Sequence, residues 1–348
     1  MNRRRFLQGL SAGLLSASCL PGCAHRPRPE AGTGIKPIRG SWISIWWDDD
    51  RHYYWNEACL KWTATQWELA VRDMAELGFK YIVLLAVAKS GKAFYDTAVL
   101  PKLEMACEDP IGALLRGADR HRMKVFMSSD WYAEWDERAL LDPERVKKRF
   151  QMMEELASRY ARHRSFYGWY WPNEACLTPY YTENFIRHVN ECGAEARRLM
   201  PKARTLIAPY GTNKAVCDAT YMRQLERVNV DIIAYQDEVG CFRMTPAQSA
   251  VAYRTLREAH NNVPQRALWA DVEVFDWEGP PNRQTSRLIP ARFDRLHAQL
   301  EAVSPFVDEV LIYQYQGLMN KPGSEAFAGH SESATLYANY VQWLRRRG

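Results

Sequence analysis

From residue 39 onward, short apolar runs alternate with longer stretches in which apolar residues recur every three or four positions. The runs 41–47, 81–87, 124–128, 166–171, 204–208, 231–236, 267–274 and 309–315 are nearly continuous in apolar residues. That is how parallel strands covered on both faces read. The stretches between them carry helix start signals. Thr65 and Glu68 have the spacing of a capping box ahead of Trp67, Ala70, Val71, Met74 and Leu77, which share one helical face. Asp109, Asp142 and Thr245 each precede a proline, so an N-cap is followed by a residue whose fixed φ suits the first turn. Further helices are predicted over 183–199, 218–227, 290–302 and 331–345.

Eight strand and helix pairs in strict alternation predict an α/β fold, a single closed (β/α)8 TIM barrel over 39–348 with no internal boundary. No glycine-rich phosphate loop follows the first strand, which argues against an open dinucleotide-binding sheet. Asn56-Glu57-Ala58-Cys59-Leu60 recurs as Asn173-Glu174-Ala175-Cys176-Leu177. The copies follow the first and fourth strands, whereas a half-barrel duplication would relate the first and fifth, so the repeat reads as coincidence.

Residues 1–23 place Arg3, Arg4 and Arg5 ahead of a small and apolar run over 9–20, the order of an export signal. The run is far short of the roughly 20 residues a membrane-spanning helix needs. The paired arginines before Phe6-Leu7 resemble a twin-arginine signal, and Leu20-Pro21-Gly22-Cys23 resembles a bacterial lipobox. Cys23 is therefore the candidate lipidation site; an ordinary export signal and an unmodified Cys23 are the plainer alternatives. Residues 24–38, rich in Pro, Arg and Gly, read as a tether. The expectation is an exported lipoprotein, periplasmic or at the cell surface, held to a bacterial membrane by its lipid alone.

Without the three signal arginines the formal charge of +5 falls to +2, too close to neutral to suggest nucleic acid as a partner. Of the 8 cysteines, none has zinc-ligand spacing, and those beyond the signal are expected as buried free thiols. Neither metal nor cofactor is called for. The 13 Trp and 18 Tyr exceed what a core wants, because each ring carries a polar group that needs a partner. Flat amphipathic rings suit the apolar faces of sugars.

A barrel of this kind builds its site at the C-terminal ends of the strands. The first strand there delivers Trp47 and Asp48, the third Asp130 and Trp131, and the fourth Trp171, Asn173 and Glu174. The fifth leads to Tyr210, the sixth to Tyr235, Gln236, Asp237 and Glu238, the seventh to Asp271 and Glu273, and the eighth to Tyr313 and Gln314. Carboxylates, amides and rings in this number fit glycoside hydrolysis. That reaction needs one carboxylic acid to protonate the leaving oxygen and a second carboxylate to attack or to activate water. Serine-nucleophile chemistry lacks its Gly-x-Ser-x-Gly elbow.

Trp171-Pro172-Asn173-Glu174 after the fourth strand, with Glu273 near the end of the seventh, resembles the clan A arrangement of retaining glycoside hydrolases. Gly168-Trp169-Tyr170-Trp171-Pro172-Asn173-Glu174, Tyr235-Gln236-Asp237-Glu238-Val239-Gly240 and Gln314-Tyr315-Gln316-Gly317 resemble an uncharacterised-domain family of the TIM-barrel glycosyl hydrolase superfamily. The resemblance implies that Glu174 is acid/base and Glu273 nucleophile in a metal-independent hydrolase of O-glycosidic bonds acting on an oligosaccharide or polysaccharide. A tryptophan expected at the end of the eighth strand is replaced by Tyr313 and Tyr315, so Asp271, Glu238 and Asp237 stay open as the second carboxylate. The substrate-binding set is Trp47, Asp48, Asp130, Trp131, Trp171, Asn173, Tyr210, Tyr235, Gln236, Tyr313 and Gln314. Two other readings compete: a non-catalytic carbohydrate-binding lipoprotein, and a metal-assisted hydrolase using Asp48, Asp49 and His52.

Overall fold

Runs of β-branched and aromatic residues too short for helices, each followed by an amphipathic stretch, fold here as repeated strand and helix units. The structure, a computed structural model, describes residues 34–47, 54–129, 139–174, 177–280 and 286–347. Its strands are β1 (Gly40–Ile43), β2 (Tyr81–Leu84), β3 (Ala88–Lys89), β4 (Lys92–Ala93), β5 (Lys124–Ser128), β6 (Phe166–Trp171), β7 (Arg204–Ile207), β8 (Ile232–Gln236), β9 (Ala267–Glu273), β10 (Phe275–Trp277), β11 (Leu288–Pro290) and β12 (Glu309–Tyr313). Eight of these close a parallel barrel in the order β1, β12, β9, β8, β7, β6, β5, β2, with Gly40 paired to Tyr81 on one side and Leu311 on the other. The fold is therefore the (β/α)8 barrel that the alternation predicts. β3 pairs with β4 and β10 with β11 as two antiparallel hairpins outside it, which the pattern does not anticipate.

The helices are α1 (Asn56–Lys61), α2 (Ala64–Glu76), α3 (Pro110–His121), α4 (Pro143–Tyr160), α5 (Glu183–Leu199), α6 (Ala219–Arg227), α7 (Pro246–Asn262), α8 (Phe293–Val303) and α9 (Ser333–Arg345). Asp109, Asp142 and Thr245 cap α3, α4 and α7 as expected, each accepting a backbone N–H from the first turn. The capping box of α2 lies two residues earlier than predicted. Thr63 Oγ1 accepts the Gln66 N–H at 3.4 Å, and Gln66 Oε1 accepts the Thr63 N–H at 2.9 Å. Glu68 instead reaches across to α3, taking Arg116 Nε at 2.9 Å together with Arg120.

The barrel interior is filled near its N-terminal end by rings. Tyr81 of β2 and Trp269 of β9 meet at 4.8 Å between centroids, although β1 and β12 separate their strands in the sheet. Phe126 joins them at 6.1 Å from Trp269. With Trp269 inside, the two-residue period of a strand turns Asp271 and Glu273 inward as well, one layer after another toward the C-terminal end. Among the described residues no helix is long and apolar enough to cross a membrane. Cys59, Cys107, Cys192, Cys217 and Cys241 are free thiols, the first three buried.

Candidate active site

At the C-terminal ends of the strands a cavity of about 290 Å³ opens over the barrel axis. Tyr170 near the end of β6 and Glu174 beyond it form one side, with Gln236 at the end of β8. Asp271 and Glu273 enter from β9, and Tyr313 from β12. Trp42 of β1 lies beneath, edge-on to Tyr170 at 6.0 Å. The β10–β11 hairpin supplies a further wall through Phe275, Trp277 and Leu288. Trp277 is fixed by its indole Nε1, which donates to the Gly240 carbonyl at 3.0 Å. Trp47 also lines the cavity. Asn56 clamps the Trp47 backbone in both directions, accepting its N–H at 3.1 Å and donating to its carbonyl at 2.8 Å, while Lys89 Nζ sits 4.1 Å from the indole ring.

The carboxyl groups are held by unequal sets of donors. Gln236 Nε2 donates to Glu174 Oε1 at 3.0 Å. Burial nevertheless raises the Glu174 carboxyl to about 7, against that hydrogen bond and the nearby Arg243. Glu273 Oε2 accepts the Cys241 N–H at 2.7 Å, and Gly240 must be a glycine for this approach, since a Cβ there would lie 2.8 Å from Glu273 Cβ. Burial, followed by the negative charge of Asp237, pushes Glu273 upward. Asp271 is raised well above the carboxylate range by burial and then by Glu273, Asp237 and Glu174. Its Oδ1 is buried without a hydrogen-bond partner.

Asp237 and Glu238 have other employment. Asp237 faces α8, where its Oδ2 accepts Gln299 Nε2 at 2.7 Å and its Oδ1 accepts the Glu273 N–H at 3.1 Å. It braces the end of β9. Glu238, at φ 53°, turns away and accepts the backbone N–H groups of Gly211 at 2.5 Å and Asn213 at 3.0 Å, tying two loops together. Neither lines the cavity.

Strand parity also separates the expected binding residues. Gln236 and Tyr313 face the cavity, as does Trp47. Trp171 is buried on the opposite face of β6 from Tyr170. Tyr235 points into the helix layer, its hydroxyl 2.5 Å from that of Tyr221 and 2.9 Å from His260 Nε2. Gln314 is buried against Ser44 and the Gln316 carbonyl, and Tyr210 lies under the Arg243 guanidinium at 5.2 Å. These four are outside the cavity wall. Asn173 is half-buried next to Glu174 with its Oδ1 unpartnered. Cys23, Asp48, Asp49, His52, Asp130 and Trp131 lie outside the described residues. Sequence reading overlooked Trp42, Tyr170, Cys241 and Phe275. Each stands inside a strand or just past a loop turn, where an apolar run gives no sign of which face a side chain takes.

A family profile described as a domain of unknown function, DUF4434, matches residues 38–326. The chain belongs to the DUF4434 family. A search of curated proteins finds no match. Among solved structures, this DUF4434 chain is similar to a "putative alpha-L-fucosidase" from Bacteroides thetaiotaomicron, with 18% identity over 97% of this chain and 99% of that one and a TM-score of 0.70. A beta-galactosidase from the psychrophilic Marinomonas ef1 aligns at 11% identity and TM-score 0.57 over 88% of this chain, which spans 59% of that protein. Xylanase A from P fluorescens subsp. cellulosa, solved with xylopentaose, aligns at 11% identity and TM-score 0.51, covering 89% of this chain and 99% of that one. At these identities the likeness is one of fold.

Proposed function

We propose that this protein is a glycoside hydrolase that cleaves O-glycosidic bonds of an oligosaccharide or polysaccharide with net retention. The observation that carries the reading is the common cavity: Glu174 and Glu273, from the fourth and seventh strands of the barrel, open on one aromatic-walled space. The glycosidases among its structural neighbours agree with it at the level of fold.

In this reading Glu273 attacks the anomeric carbon as the carboxylate, the bond from that carbon to the leaving oxygen breaks, and Glu174 gives its proton to that oxygen. Water, deprotonated by Glu174, then displaces Glu273 from the glycosyl ester and restores both groups. Burial raises both carboxyls, so each holds its proton more tightly than a free carboxyl does. The donors favour placing the anion on Glu273, which the Cys241 N–H approaches at 2.7 Å, over Glu174, which takes one amide donor at 3.0 Å.

The test is hydrolysis of a panel of 4-nitrophenyl glycosides and oligosaccharides, with the first-formed anomer followed by NMR. Glu273→Gln is expected to abolish turnover. Glu174→Gln should lose about 10²–10⁴-fold on unactivated glycosides, the usual share of a general acid, and less where the leaving group needs no proton. Inverted product, or turnover that survives both substitutions, defeats the assignment; sugar binding with no turnover in the unmodified protein supports the non-catalytic lectin-like alternative.

The same proposal places the enzyme outside the cytoplasm, tethered by lipid on Cys23. Cys23→Ser should move it from the membrane to the soluble fraction after cell breakage. An unchanged distribution would remove the anchor.

A further inference from the structure

The cavity holds one carboxyl more than glycoside hydrolysis uses. Asp271 is 4% exposed, lines the floor next to Gln236, its ladder partner on β8, and leaves Oδ1 buried and unpartnered. Three carboxyls surround it electrostatically: Glu273, Asp237 and Glu174. Tyr170 and Tyr253 stand near without neutralising it. The cations of the region act on the neighbouring carboxyls: Arg243 favours the anion of Glu174, and Arg295 attracts Asp237 and Glu273. Arg243 lies over Tyr210 and beside Glu238, Arg295 donates to the carbonyls of Glu273 and Phe275, and Lys89 sits over the Trp47 ring. None of the described residues that line the cavity is Lys, Arg or His.

An ionised Asp271 in that setting would add a buried negative charge beside three other carboxyls, with no cation among the described residues of the cavity wall, which low dielectric makes costly. A carboxylic acid, by contrast, is both a donor and an acceptor. We propose that Asp271 is a neutral acid that hydrogen-bonds a hydroxyl of the bound sugar, and that the cavity takes sugar rings free of acidic groups. A uronate carboxylate there would meet Glu273, Glu174 and Asp271, with no cation among the described residues of the cavity wall to receive it. The inference rests on the glycosidase reading for its ligand, though not for the protonation of Asp271.

Two measurements separate those parts. The first is thermal unfolding of the full-length protein and of Asp271→Asn across pH. A carboxyl raised in the folded state keeps a proton that the unfolded chain releases above about pH 4, so its contribution to stability is lost as pH rises from there toward the folded value. Asn carries no such proton. The gap in Tm in favour of Asp271→Asn should therefore be smallest near pH 4 and grow toward about pH 8. A gap that stays flat or reverses means an ionised Asp271 and overturns the proposal.

The second measurement is NMR titration of the unmodified protein with galactose, xylose and fucose against galacturonate and glucuronate. Neutral sugars are expected to bind at least about tenfold more tightly than uronates near pH 8, with the ratio shrinking near pH 5, where the cavity acids are protonated. Uronates binding as tightly as neutral sugars near pH 8 would overturn the proposed class. Failure of every sugar to bind, with the Tm gap present, would sink the glycosidase reading and the hydroxyl role with it, while leaving Asp271 a neutral acid.

Discussion

In the proposed mechanism, Glu174 couples its surroundings to the pH at which turnover occurs. In its proposed role as general acid it is useful only while protonated, and burial raises it to about 7. Activity limited by this proton should fall as pH rises through that value, roughly tenfold for each further pH unit. Arg243 favours the anionic form of Glu174 through space, so removing it must raise the carboxyl further. Arg243→Met is expected to move the alkaline limb of the kcat/KM profile to higher pH, and a limb that stays put would show that another group controls it. The same scale explains which site residues could be read in the sequence. Glu174 and Glu273 stand out because charged residues after apolar runs are conspicuous. Trp171 and Tyr235 mislead because a ring at a strand end gives no sign of its face. Trp171 is buried opposite Tyr170, and Tyr235 is consumed by Tyr221 and His260. Without one fixed inward residue, the alternation in Trp169-Tyr170-Trp171 leaves both registers open.

At the scale of elements, the regular parts were legible and the insertions were not. Strands 124–128 and 166–171 and helix 183–199 appear with the boundaries that their apolar periods predict. The run 41–47 shortens to Gly40–Ile43, because Ser44 leaves the ladder to bind the Gln314 and Gln316 side chains. The helix expected over 290–302 begins only at Phe293, because Leu288–Pro290 is taken up as β11 against Phe275–Trp277. A strand of three residues carries too little periodicity to announce itself. Yet this hairpin decides the shape of the site, since Phe275, Trp277 and Leu288 all face the cavity. It is anchored from two sides: the Trp277 indole on the Gly240 carbonyl, and Arg295 of α8 on the Phe275 carbonyl. The elements that give this barrel its own cavity are thus the ones whose local sequence says least, because pairing across a loop, rather than period, defines them.

For the whole molecule, closure of the barrel is what brings carboxyls from β6 and β9 to one space, and closure depends on how closely neighbouring strands pass. Gly168 pairs with Arg204 between β6 and β7, and a Cβ at this position would lie 2.3 Å from the Arg204 carbonyl oxygen and 2.9 Å from Phe126 Cδ1. The first obstacle is backbone, which cannot rotate away as a flexible side chain could. Relief would require β6 to lift off β7 or shift against it, and either movement is transmitted along β6 toward Glu174. Gly168→Ala, ordinarily one of the mildest substitutions, should therefore cost about 1–3 kcal/mol or more through overpacking, read as a lowered urea midpoint. Whatever fraction remains folded should show weakened turnover on any glycoside found to be a substrate of the parent under the proposed function. A variant as stable and as active as the parent would mean that β6 and β7 have slack between them, and the fixed alignment of Glu174 with Glu273 would then need another source.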